Sequence, residues 1–383
     1  MMHAGRRERH WCDAPPPVRR LARVAKSLVL AGVLMAAGTV AMSKPAVAEV
    51  DYSRFWPATV SGFVLPASDA LAEAALPLAT GIETACTGGA TEPFAAAFTE
   101  AVGAVARLSM LRVGALADEN RLERIAFIPD GRGVVRRQVT RLIADRDQTA
   151  LEAARLRDKS VALQGLTALE WVAFDKDGKV LLADSGEEGA YRCAYAAALA
   201  ARLGDTAREI RDAFAAPSGQ TALLLSPAPE NGLAKTHKEA AGFVFNALMT
   251  SLELVRDQML APLVGEGAPA SRVARVPFSR SHNGTAYLSG AIDGLSQAFS
   301  AAGFAQASED AAWIGNTLGF ERSNALKALE AVPADLQAAL ADKEASERLA
   351  YVLTILTGLR TTLGGELAAY LDFRGGFNAL DGD

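Results

Sequence analysis

Apolar residues return at alternating intervals of four and three along most of this chain. One such stripe is formed by Ala241, Phe245, Leu248, Leu252, Val255 and Met259. This spacing places the apolar side chains on one face of an α-helix. No segment shows the sustained alternation of apolar and polar residues that is typical of a β-strand. The pattern therefore predicts an all-α protein built from amphipathic helices.

Glycine, proline and polar clusters divide the apolar stripes into separate helices. We predict helices at about 53–86, 92–118, 132–146, 149–174, 189–215, 235–263, 284–303, 309–331 and 335–371. A Pro/Gly/Ser-rich interval from Ala216 to Gly232 is the best domain boundary. The predicted fold is two antiparallel helical bundles, one at 49–225 and one at 226–383. Each half holds enough helix for a four-helix bundle, which leaves a duplication open, although the halves share no residue-level repeat.

Residues 1–48 have the pattern of a cleaved signal peptide. A basic segment ending at Lys26 precedes an uncharged apolar run from Leu28 to Met42, and Ala46-Val47-Ala48 offers a cleavage site. The alternative is an uncleaved anchor, but the apolar run is shorter than the roughly 20 residues of a spanning helix. Position 49 carries no cysteine for a lipid anchor. We therefore expect a soluble protein of the periplasm or cell envelope with no integral membrane segment.

Charge excludes one class of partner. Residues 1–48 carry eight Lys/Arg and two Asp/Glu, so the 39 basic and 44 acidic residues of the whole chain become 31 and 42. A chain this acidic repels phosphates, and no nucleic-acid partner is expected. The partner stays unknown, either a small ligand or an envelope protein.

Only two cysteines, Cys86 and Cys193, follow the signal peptide. In an oxidising compartment two cysteines suggest one disulfide. The alternative is a pair of metal ligands, but two isolated thiols without nearby histidines make a poor zinc site.

Familiar catalytic motifs are missing from residues 49–383. This part of the chain has two histidines, His237 and His282, and lacks a haem-attachment motif, a zinc helix, a nucleophile elbow and a phosphate loop. A conventional hydrolase or redox enzyme is therefore hard to support.

The segment Gly165-Leu166-Thr167-Ala168-Leu169-Glu170-Trp171 carries a family resemblance. It resembles the Gly-x-His-x-x-Glu motif of imelysins, a family also described as metallopeptidases, with Thr167 at the histidine position. Further similar segments follow in the expected order, namely those around Cys86, Phe127–Gly131, Arg192–Tyr195, Pro277–Ser281 and Gly376–Asp383.

The resemblance implies two helical bundles with the motif helix near their junction, an envelope location, and a link to iron or haem acquisition. It also implies a peptidase assignment, but a threonine hydroxyl is a poor ligand for a transition metal and cannot act as a general base. Three functions stay open, and we favour the first: a noncatalytic binding protein, a metallopeptidase that uses Glu170, or an envelope scaffold. The cofactor is unknown; a metal ion or haem would fit the resemblance.

The candidate ligand-binding set is Gly165, Thr167, Glu170, Asp130, Arg280 and Ser281. A stripe at Leu156, Ser160, Leu163, Thr167, Glu170 and Phe174 predicts that Glu170 shares an apolar helix face. A buried carboxylate needs a hydrogen-bond donor, for which Thr167 and Arg280 are candidates, or else it has a raised pKa or holds a metal ion.

Other polar residues are weaker candidates. Four arginines follow the Pro-Asp-Gly turn at Asp130, and we expect Arg136 and Arg141 to form a solvated face; the others are Arg132 and Arg137. His237 and His282 are expected to face solvent. Oxygen ligands for a hard cation could come from Asp130, Asp381 and Asp383.

Overall fold

The computed structural model describes residues 50–373. The expected signal peptide at 1–48 and the terminal Asp381 and Asp383 lie outside the described residues.

Nine helices of nine residues or more carry the fold within residues 50–373. They are α1 (Tyr52–Cys86), α2 (Glu92–Leu108), α3 (Val134–Asp145), α4 (Gly165–Ala173), α5 (Glu187–Ala215), α6 (His237–Glu253), α7 (Gly284–Ala302), α8 (Ala312–Glu330) and α9 (Lys343–Thr361). Helix α6 continues through Leu254–Leu260 to Ala261–Val264, and α9 continues through Thr362–Leu367 to Ala368–Tyr370. The described residues form no β-strand, so the predicted all-α class is confirmed.

Three predicted helices have different bounds in the structure. The helix expected at 92–118 ends at Leu108, because the apolar residues that follow are buried in irregular chain and short turns. The helix expected at 149–174 is wrong as a single element, since Ser160 caps a separate turn and α4 begins only at Gly165. The helix expected at 335–371 is divided where the Asp342 side chain accepts a hydrogen bond from the Ala345 amide and caps α9.

The helices of both halves pack on one another within the compact unit 48–383. Helix α1 packs along α2 and α5, and α2 packs on α7, which lies in the second half of the sequence. The division at residues 225 and 226 stays a prediction.

Two glycines of α7 permit its close approach to α2. A Cβ atom on Gly290 would lie 2.6 Å from the Gly103 carbonyl oxygen, and one on Gly294 would lie 2.5 Å from that of Arg107. No side chain fits these gaps, so the two backbones are in direct contact.

A buried carboxylate stabilises the same contact. Asp293 of α7 accepts hydrogen bonds from Arg107 of α2 at 2.9 Å and from Arg322 of α8 at 2.7 Å, and from Gln297 at 2.8 Å. Burial raises the pKa of Asp293, but these donors outweigh burial and hold the pKa below its ordinary value. The carboxylate therefore links three helices.

Cys86 at the end of α1 and Cys193 in α5 form a disulfide, with their Cα atoms 5.8 Å apart. The predicted pairing is confirmed. Since α1 and α5 already pack along each other, the disulfide fixes the register of that contact.

Among the described residues, one helix is long and apolar enough to cross a membrane, and this is α1, with a mean hydropathy of 1.2. A helix in the core of a protein can be equally long and apolar. In this chain Leu71, Leu78 and Ile82 of α1 are buried, which is accounted for by its packing on α2 and α5.

Candidate functional site

Helix α4 is short because its first residue is held in an unusual conformation. Gly165 has φ of +68°, and a Cβ atom there would lie 2.3 Å from the Ile125 carbonyl oxygen. Only glycine fits both conditions. The preceding Gln164 is buried, and its amide nitrogen donates to the carbonyl oxygen of Lys159 at 2.8 Å. The start of the motif helix is therefore fixed by backbone contacts.

Glu170 lies in the middle of α4 and is 6 % exposed. Its Oε1 atom accepts two hydrogen bonds from Ser281, one from the backbone amide at 2.9 Å and one from the hydroxyl at 2.8 Å. The expected burial and the need for a donor are confirmed, but the side chains of the two expected donors form their hydrogen bonds elsewhere. The Thr167 hydroxyl instead accepts from the Phe127 amide at 3.1 Å, and the Arg280 Nε donates to the Phe174 carbonyl oxygen at 2.9 Å.

The loop that carries Ser281 is built to present its amide to the carboxylate. Phe278 and His282 both have positive φ, at 59° and 58°. Asn283 donates to the Ser281 carbonyl oxygen at 3.0 Å and accepts from the Thr99 hydroxyl at 2.6 Å. These contacts tie the loop to α2. They hold the Ser281 donors in place beside the carboxylate.

Arg280, the neighbour of Ser281 in this loop, packs on Trp171 of α4. Its guanidinium lies 4.2 Å from the centre of the Trp171 ring, within cation–π distance. Burial lowers the pKa of Arg280, while the negative charges of Glu170 and Asp175 act in the opposite direction. The guanidinium stays charged. Helix α4 therefore contacts the loop after Pro277 through both Glu170 and Trp171.

A cleft of about 790 Å³ opens beside this contact. Residues of the first half, including Phe127, Asp130 and Thr167, form one wall together with Glu170 and Trp171. Residues of the second half form the other, from Leu254–Pro262 and Ala270–Arg280. A volume of this size suits an organic ligand of a few hundred daltons.

The comparisons agree with this architecture. The family model described as imelysin matches residues 64–363. The chain belongs to the imelysin family. Its fold is similar to that of an imelysin-like protein from Psychrobacter arcticum 273-4, at 20 % identity and a TM-score of 0.65, over 86 % of this chain and 100 % of that one. It is also similar to a protein from Parabacteroides distasonis ATCC 8503, at 13 % identity and a TM-score of 0.59, over 83 % and 97 %. That protein is named as a candidate iron-regulated protein A precursor. No curated protein matches at a significant level.

In this imelysin the predicted site residues fall into two groups. Thr167, Glu170, Asp130 and Arg280 line the cleft, and Ser281 lies directly behind Glu170. Gly165 shapes the helix and does not line the cleft. Asp130 has a structural contact as well, because its two oxygens accept from the amides at the start of α3.

No metal site is complete in the part of this imelysin that the structure describes. Residues 50–373 contain no group of three His, Cys, Asp or Glu side chains placed to hold an ion. His237 is exposed at the start of α6, as predicted, whereas His282 is half-buried against Gly178. Assignment of a metal ion to Glu170 stays a prediction, and its hydrogen-bonded partners come from Ser281.

Several cleft residues were missed from the sequence. The sequence pattern did not indicate that Trp171 and Arg275 line a cleft. Arg136 was expected on a solvated face; it is exposed, yet it lines the cleft. Arg136 and Arg275 are far apart in sequence, so no local pattern indicates that they line the same cleft.

Burial makes Glu170 a source of pH-dependent stability. Desolvation raises its pKa to about 7, even though the hydrogen bonds from Ser281 lower it. Between about pH 4.5 and 7, Glu170 is therefore protonated in the folded protein and ionised in the unfolded chain. The stability contributed by the neutral form is lost as the pH rises through this window.

We expect Glu170→Gln to remove this pH dependence. The wild type loses stability between pH 4.5 and pH 8 and the variant does not. The difference between their free energies of unfolding should therefore shift in favour of the variant by up to about 3 kcal/mol, since one pKa unit corresponds to about 1.4 kcal/mol. Urea titrations at both pH values measure the difference. Glu73→Gln, on the exposed side of α1, is the charge-matched control. A difference that is the same at both pH values would contradict the prediction.

Proposed function

We propose that this imelysin is a noncatalytic binding protein of the cell envelope that takes up a small ligand in iron acquisition. The observation that carries the proposal is the cleft of about 790 Å³ beside Glu170, whose Oε1 atom is held by Ser281. A cleft of this size can hold a ligand, while the motif carries Thr167 where the family pattern has its histidine.

The argument against catalysis is the missing motif histidine, at whose place Thr167 stands. Glu170 has a structural role beside it, because its Oε1 atom accepts two hydrogen bonds from Ser281 while burial raises its pKa to about 7. Such a group fixes the shape of the cleft.

Location and pathway rest on other observations. A basic and apolar N-terminal segment with a cleavage site, together with the disulfide between Cys86 and Cys193, fits an exported protein. Iron acquisition is supported by the name of the Parabacteroides distasonis neighbour, which has the same fold.

The test combines retention of a ligand with a search for cleavage. We expect native mass measurement of protein purified from the periplasm to show a bound small molecule that is lost on denaturation. Digests of a peptide mixture, with zinc or with a chelator, should show no cleavage above the buffer control. Chelator-sensitive cleavage that Glu170→Ala abolishes would overturn the proposal in favour of a metallopeptidase, and copurification of a protein alone would favour a scaffold.

A further inference from the structure

The charges that line the cleft differ from those of the chain. The whole sequence has a net charge of −5, yet Arg136, Arg275 and Arg280 all line this one cleft. Arg136 and Arg275 are exposed, and neither forms an ion pair or a side-chain hydrogen bond among residues 50–373. Arg280 uses only Nε, on the Phe174 carbonyl oxygen. Arginine groups without partners in an acidic protein leave positive charge concentrated in the cleft.

Within residues 50–373, the carboxylates of the cleft form no salt bridge with these arginines. Both oxygens of Asp130 accept from backbone amides, at 2.7 and 2.9 Å. Asp257 is paired with its neighbour Arg256, at 2.7 and 2.8 Å. Glu170 accepts from Ser281. Each carboxylate therefore has its own donor, and none forms a salt bridge with the three arginines.

Lysine adds little to this positive charge. Lys176 also lines the cleft, but its ammonium group is 2.6 Å from the Asp177 carboxylate, which lies outside the lining. Among residues 50–373, the cations of the cleft without an ion-pair partner are thus guanidinium groups. Arginine presents a planar set of donors that matches carboxylate and phosphate oxygens in pairs.

Apolar side chains form part of the lining. Trp171 carries Arg280 over its ring, and Met259, Val273 and Val276 contribute from the second half of the chain. Such a surface suits the carbon skeleton of a ligand, since it removes apolar area from water. The cleft therefore combines an apolar floor with cationic donors on both walls.

We propose that the cleft binds an organic anion, whose carbon skeleton packs on the apolar walls and whose acidic groups are held by Arg136, Arg275 and Arg280. This names the ligand class of the proposed binding function and rests on it. Arg136 comes from the first half of the chain and the other two from the second. A bound anion thus bridges the two walls.

Two dyes that differ in charge test the proposal on the full-length mature protein. One is 8-anilinonaphthalene-1-sulfonate, and the other is N-phenyl-1-naphthylamine, its uncharged analogue. We expect the double variant Arg136→Gln/Arg275→Gln to weaken binding of the sulfonate about tenfold at low salt, as loss of charge-assisted hydrogen bonds does. Binding of the uncharged dye should change less than about twofold, because its contacts are apolar.

A matched control removes the same charge from outside the cleft. Arg141→Gln/Arg155→Gln takes two exposed arginines that do not line it, and sulfonate binding should change by less than about twofold because exposed charges are screened. Equal weakening by both double variants would overturn the anion site, since net charge alone would then account for the effect.

Two further outcomes separate this proposal from the proposed function. If both dyes bind and the cleft variant leaves the sulfonate unaffected, the anion class is wrong while a binding cleft remains. If neither dye binds in the wild type, both the anion site and the binding function are overturned.

Discussion

Replacing Gly165 by alanine should lower the free energy of unfolding by roughly 3–5 kcal/mol, since it combines a left-handed backbone with an overpacked contact. The backbone at Gly165 has φ of +68°, where an L side chain is strained. In addition, the new Cβ atom would lie 2.3 Å from the Ile125 carbonyl oxygen and 2.4 Å from that of Arg124. Both neighbours are backbone atoms, so neither can rotate away.

Chemical denaturation of Gly165→Ala measures this loss. Gly131→Ala is the matched control, because Gly131 also lines the region of the cleft, has no positive φ, and has no atom within 4 Å of an added Cβ. The control should change stability by less than about 1 kcal/mol, as surface substitutions do. A Gly165→Ala protein as stable as the control would show that the start of α4 can move, and the close contact would then not define the motif helix.

Removing the disulfide should cost about 4–5 kcal/mol, the chain-entropy value for a loop of this length. Cys86 and Cys193 are 107 residues apart in sequence, so the bond restricts a large part of the unfolded chain. The Cys86→Ser/Cys193→Ser variant should therefore unfold at a lower urea concentration than the oxidised wild type, with the same helical content before the transition.

Alkylation under denaturing conditions provides the independent check. In protein purified from an oxidising compartment, Cys86 and Cys193 should not react until a reductant is added, because they are paired. Two alkylated thiols without reductant would disprove the pairing in the cell. Equal stability of the serine variant and the oxidised protein would disprove the energetic argument, although the bond would remain.

Apolar periodicity predicted the long helices well, because each of them buries one face. Helices α5, α7 and α8 lie within a few residues of their predicted positions. Periodicity failed at 149–174, where the same spacing runs through several separate turns. There the backbone is set by Gly165 and by the cap at Ser160, and a stripe of apolar residues does not report a break that is made by backbone geometry.

The hydrogen-bond partner of Glu170 could not be predicted from the sequence. Burial followed from its apolar neighbours on α4, and the need for a donor followed from burial. The donor itself depends on the loop at Phe278–Asn283, whose positive φ values turn the Ser281 amide toward the carboxylate. Arginine was the plausible donor by charge, but Arg280 packs on Trp171 instead.

The contact between α2 and α7 shows the same limit in a different form. Gly290 and Gly294 are spaced one helical turn apart, which the sequence displays, but the surface that they meet, at Gly103 and Arg107, becomes visible only in three dimensions. Long-range pairs of this kind decide which helices are neighbours. Local pattern decides only that helices exist.

The hydrogen bonds between Glu170 and Ser281 join residues that are 111 positions apart. Within residues 50–373, Ser281 is the residue whose side chain donates to Glu170, and it is synthesised long after that carboxylate. Until then water is the best solvent for the carboxylate. A chain that stops before residue 281 can still pack α4 on α5, but it lacks both Ser281 donors, so Glu170 would have to keep its contact with water.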